Sequence, residues 1–124
     1  MQPHHIAIYE EQSYLTASLE REYLQAADLN FRWFPYLDDF FQHLENNACE
    51  IAILDCPQFS QEQLPRIAVL SKRICLIVIA PTEDFEFECL LRELGVTSVL
   101  PQGINFQDFL HVFQRLTKKS TLSV

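Results

Sequence analysis

The stretch "EIAILDCPQ", Glu50 to Gln58, is an apolar run that stops on a carboxylate. Ile51 to Leu54 are all apolar, with no alternation of polar residues, which is the pattern of a strand covered on both faces in a parallel sheet. Asp55 then stands where such a strand leaves the core. The residue either starts a turn or is held by the strand at the edge of the fold for use.

The surrounding sequence decides between fold classes. Short β-branched, apolar runs alternate with longer amphipathic segments five times along the chain. "HHIAIY", His4 to Tyr9, reads as the first strand. "SYLTASLEREYLQAA", Ser13 to Ala27, follows as a helix capped by Ser13, with Leu15, Leu19, Tyr23 and Leu24 at helical spacing and Ala26 and Ala27 behind them. "NFRWFPYL" reads as an edge strand, because Pro35 removes a ladder hydrogen bond. Asp38 or Asp39 is placed to cap "DFFQHLENN", a helix that buries Phe40, Phe41 and Leu44.

After the opening stretch, "QEQLPRIAVLSKR" reads as a helix that begins near Pro65 or kinks there. "ICLIVIA", Ile74 to Ala80, is the most hydrophobic run and reads as the central strand. "TEDFEFECLLRELG" reads as a helix with Thr82 as cap, Phe85, Cys89, Leu90 and Leu94 at helical spacing, and Gly95 as its stop. "VTSVL", Val96 to Leu100, is the fifth strand. "NFQDFLHVFQRLTKK" is the last helix, with Asn105 as cap, an apolar face from Phe106 to Leu116, and Lys118 and Lys119 in the final turn where the helix dipole favours cations.

Five βα units in one chain of 124 residues argue for a single α/β domain, a doubly wound five-stranded parallel sheet with helices on both faces. We place the domain at residues 1–119, with 120–124 as a tail or the start of a linker. Sites in such sheets form at the carboxyl ends of the strands. The positions that converge there are Glu10, Glu11, Asp55, Ala80, Pro81 and the Leu100 to Gly103 segment.

Composition excludes several functions. Hydrophobic residues make up 48% and charged residues 21%, a globular balance, and no apolar run approaches the ~18 residues that span a bilayer. The opening "MQPHHIAIYEE" does not read as an export signal, so a cytoplasmic location is expected. A formal net charge of −8 opposes direct nucleic-acid binding. Cys49, Cys56, Cys75 and Cys89 form no CxxC pair and read as free, buried thiols. His4, His5, His43 and His111 have no acid or Cys partners at fixed spacing and read as surface or packed residues. With only two glycines, Gly95 and Gly103, the chain has no phosphate-cradling loop after its first strand, which leaves flavin or nucleotide chemistry little support.

Three carboxylates remain at the carboxyl edge: Glu10, Glu11 and Asp55. Such a group either repels itself or binds a hard cation such as Mg²⁺. Together, "IAIYEEQSYLTASLE", "EIAILDCP" and "GVTSVLPQGI" resemble three segments of the receiver domains of bacterial two-component response regulators. The likeness runs from His5 to about Lys118. It implies a flavodoxin-like sheet of order 2-1-3-4-5, with Asp55 as phosphoacceptor, Glu10 and Glu11 as the acidic pair that holds Mg²⁺ with Asp55, and a signalling function without enzymatic activity of its own. It also implies a protein partner, whether kinase, output domain or regulator.

The resemblance stops at three positions. Receivers close strand four with a Ser or Thr; this chain has Ala80, with Thr82 two residues late. They follow strand five with Lys and Pro; this chain has Gln102 and Gly103. They carry an aromatic switch in strand five; this chain has Val99. An alanine donates nothing to a phosphoryl group, and an amide cannot neutralise one. The pattern implies an atypical receiver, a signalling adaptor acting through protein–protein contacts, over a phosphorylatable receiver using Asp55. The aromatic-rich "FRWFPYLDDFF" is partly core and partly a candidate partner or homodimer surface.

Overall fold

In the computed structural model, which describes residues 4–26 and 28–119, the alternation becomes five strands and five helices. In chain order they are β1 (His4–Tyr9), α1 (Tyr14–Glu22), β2 (Leu29–Phe34), α2 (Leu37–Asn46), β3 (Ile51–Asp55), α3 (Leu64–Leu70), β4 (Cys75–Ala80), α4 (Phe85–Glu93), β5 (Ser98–Pro101) and α5 (Phe106–Lys119). Ala27, the segment 120–124 and the side chains of Lys118 and Lys119 lie outside the described residues. The expectations placed on them, including the boundary at 119, lie outside as well.

All strand pairs are parallel, in the order β2-β1-β3-β4-β5. The order reverses between β1 and β3, so the carboxyl ends of those two strands flank the switch point. Successive residues of each inner strand feed opposite layers. Ile6, Ile8, Ile51, Ile53, Ile77 and Ile79 pack with Leu19, Phe109 and Phe113 on the α1 and α5 side. Ala7, Ala52, Leu54, Leu76 and Val78 pack with Phe40, Phe41, Leu44, Ile67 and Leu91 on the other. Both faces of β3 are therefore buried, which is why its apolar run does not alternate. Truncating a fully buried ring such as Phe40 or Phe113 costs about 3–5 kcal/mol in a core of this kind.

Several local expectations need correction. The central strand is β3, not β4: continuous apolarity reports coverage on both faces, which the two strands share, and not rank in the sheet. Helix α1 ends at Glu22, and Leu24 is exposed beyond it, so the helical spacing past Tyr23 belongs to a turn in which the Ala26 N–H bonds the Tyr23 carbonyl. Asp84, not Thr82, caps α4 by accepting from the Phe87 N–H. Its inward residue is Leu91, while Phe85 faces outward. Asp38 and Asp39 lie in the first turn of α2, after the cap position at Tyr36, where their charge still favours the helix dipole.

Other expectations hold. Pro65 sits at the start of α3, Asn105 caps α5 by accepting from the Asp108 N–H, and β2 with its trailing Pro35 is an edge strand. All four thiols are free as expected, but only Cys49 is buried; Cys56, Cys75 and Cys89 are half-buried, a correction to the expectation of four buried thiols. His4 and His5 belong to β1 itself, so they are strand residues. No helix among the described residues is long and apolar enough to cross a membrane.

Candidate functional site

The carboxyl edge carries a cleft of about 750 Å³ beside the switch point. Glu10, Glu11 and Asp55 line it, together with Gln102 from beyond β5 and Tyr14 and Phe106 from the first turns of α1 and α5. No lysine or arginine is among the lining residues.

Glu10 is the residue that departs most from its expected role. It follows β1 directly, yet its side chain is buried and turned into α1. One carboxylate oxygen accepts the Leu15 N–H at 3.0 Å, and the other accepts the Thr16 N–H at 2.7 Å and the Thr16 hydroxyl at 2.6 Å. A helix leaves its first N–H groups without internal partners, and a carboxylate is the strongest acceptor for them. Ser13 occupies the cap position but makes no capping bond, so Glu10 caps α1 in its place. The main chain of Glu10 is held as well. Its N–H bonds the Phe34 carbonyl at 3.2 Å, and its carbonyl accepts the indole N–H of Trp33 at 2.9 Å.

Asp55 ends β3 beside Ile79 of β4 and is half-buried. Burial raises its carboxyl above the ordinary aspartate value. The neighbouring Cys56 thiol lowers it in part, and the charges of Glu10 and Glu11 raise it further. Burial, followed by the adjacent Asp55 carboxylate, pushes the Cys56 thiol up to about 11. Cys56 has φ +48°, a left-handed conformation that swings the chain sharply away from the strand, and its N–H bonds the Ile79 carbonyl at 2.8 Å.

The positions expected to assist Asp55 fall apart. Ala80 is buried in the opposite layer and does not line the cleft. Thr82 is exposed and outside it too, so its hydroxyl does not substitute. Gln102 lines the cleft, and its backbone N–H bonds the Ala80 carbonyl at 2.8 Å. Val99 pairs with Val78 and packs against the core on the α2, α3 and α4 side.

A Mg²⁺ held by Glu10, Glu11 and Asp55 does not fit this arrangement. Both oxygens of Glu10 are already bonded to α1, and among the described residues no three His, Cys, Asp or Glu side chains group to hold a metal ion. Tyr14 and Phe106 were not legible as site residues in the sequence. The signal available was their place in the first turn of helices that start at the carboxyl edge.

No family model matches the sequence, and no curated protein matches it. Solved structures do. The receiver domain protein (CheY-like) of Methanospirillum hungatei JF-1 is similar with a TM-score of 0.75 at 13% identity, over 95% of this chain and 96% of that one. The signal receiver domain of a putative Luxo repressor protein from Vibrio parahaemolyticus has a TM-score of 0.71 at 22% identity, over 96% and 92%. A signal receiver domain of an HD domain-containing protein from Pseudomonas fluorescens Pf-5 has a TM-score of 0.73 at 12% identity, over 96% and 97%. The chain has the fold of response regulator receiver domains.

Proposed function

We propose that this protein is an atypical receiver-like signalling domain that acts by binding another protein and is not switched by phosphorylation of Asp55. The observation that carries this reading is the commitment of Glu10. Three of its bonds go to the start of α1, so most of the acceptor capacity of this buried carboxylate is spent on the helix and little is left for a cation. A cation is what offsets the charge brought by a phosphoryl group. Asp55 retains the place of an acceptor, but the group entering there meets Glu11 and a neutral Gln102. The partner is a kinase, an output domain or a regulator of a signalling system, met in the cytoplasm, and the domain needs no catalysis of its own for this role.

The test is incubation with a small phosphodonor and Mg²⁺, read by intact mass. No phosphoryl adduct is expected. A labile adduct that disappears in Asp55→Asn would overturn the reading in favour of a phosphorylatable receiver.

A further inference from the structure

We infer that the cleft at the carboxyl edge receives an arginine or lysine side chain carried by an extended segment of a partner protein. This deepens the binding role proposed above and rests on it.

The cleft is two-sided. Glu11 and Asp55 give it carboxylates, while Tyr14, Leu15 and Phe106 give it an aromatic and aliphatic wall. With no lysine or arginine lining it, the cleft holds no positive charge to answer those carboxylates. A lone carboxylate at a cleft rim is ordinarily satisfied by water. Here burial and like charge act together on Asp55, so a cation placed between the two groups relieves both costs at once.

The wall selects the form of that cation. A bare divalent ion gains nothing from ring faces and needs several oxygen ligands in fixed geometry, which the described residues do not group to provide. An alkyl stem ending in a guanidinium or ammonium lays its methylenes on Leu15 and its charge near an aromatic face and a carboxylate. A phosphate-bearing ligand is repelled by the same carboxylates.

Two further features favour a polypeptide over a free amine. Tyr14 and Tyr36, 75% and 69% exposed, both stand where helices begin at the carboxyl edge and offer apolar surface beyond what one amine covers. The net charge of −8 also draws basic segments from a distance.

The experiment titrates the intact chain with an acetylated, amidated peptide Ala-Leu-Arg-Leu-Ala and with its citrulline counterpart, which keeps the shape and loses the charge. Binding is followed by amide NMR shifts and by the fluorescence of Trp33, the single tryptophan, whose indole bonds the Glu10 carbonyl at the base of the β1–α1 turn. The arginine peptide is expected to bind in the range of about 0.1–1 mM, with shifts at Glu11, Asp55 and Phe106. Binding is expected to weaken about tenfold in Glu11→Gln and in Asp55→Asn, and to stay unchanged in Glu93→Gln, which removes the same charge from an exposed site at the far end of α4. Equal binding of the citrulline peptide, equal weakening in Glu93→Gln, or no shift at millimolar peptide would each overturn the inference. Those failures leave the adduct experiment untouched, so loss of this inference and loss of the proposed function are separately visible.

Discussion

Asp55 and Glu11 line the same cleft at the carboxyl edge, and no lysine or arginine lines it with them. The neighbouring Cys56 thiol lowers the Asp55 carboxyl only in part. Burial, followed by the charges of Glu10 and Glu11, holds it above its ordinary value of 3.8.

A pH dependence follows from that direction. Because the folded carboxyl binds its proton more tightly than the unfolded one, its contribution to stability is full below the unfolded value near 3.8 and is lost as pH rises through the folded value. At neutral pH the ionised Asp55 is therefore a liability. Asp55→Asn is expected to raise the thermal midpoint by about 2–4 °C at pH 7, and the gain is expected to vanish near pH 3. Paired calorimetric scans at the two pH values check it; a variant less stable than wild type at pH 7 contradicts the electrostatic account of the cleft.

Removing the carboxylate of Glu10 has the opposite effect. Glu10→Ala leaves two helix N–H groups and the buried Thr16 hydroxyl without their acceptor, at a cost of about 2–3 kcal/mol. Glu10→Gln keeps one strong acceptor and is expected to lose about half as much. Urea unfolding measures both, with the midpoint falling and the slope unchanged. A neutral outcome for Glu10→Ala means that Glu10 does not hold α1.

The glycines separate by what surrounds them. Gly95 follows α4 with φ +98°, and a Cβ there would stand 2.7 Å from the Ser71 hydroxyl, which itself bonds the Leu94 carbonyl at 2.7 Å. Gly103, at φ +88°, opens onto free space. Gly103→Ala is expected to cost about 1 kcal/mol for backbone strain alone, and Gly95→Ala about 1 kcal/mol more because Ser71 must give up its bond. Equal losses in a denaturant series would show that the Ser71 contact is immaterial.

The parts of this fold that repeat were legible in the sequence, and the parts that depend on one residue meeting a distant one were not. Ile51 to Leu54 announce a strand covered on both faces, and Phe109 and Phe113 announce the inner face of α5, because burial imposes those patterns on neighbours in the chain. Asp55 could be placed from the parallel-sheet rule alone. Glu10 could not: an acid after a strand looks the same whether it faces a cleft or reaches six residues ahead to Thr16. The usual capping residues, Ser13 and Thr82, were present at plausible positions and make no such bond, since the direction in which each loop enters its helix decides which side chain arrives first.

Glu10 also sets how this half of the molecule opens. Its N–H is held by Phe34, its carbonyl by Trp33, and its carboxylate by the start of α1. One residue thus ties two strands to a helix, so the first turn of α1 and the edge strand β2 share a single opening event instead of fraying one after the other. In hydrogen exchange, the amides of Glu10 and Thr16 would then report the same protection, and an edge strand that ordinarily marks the loosest border of a sheet would exchange at the pace of the helix it helps to anchor.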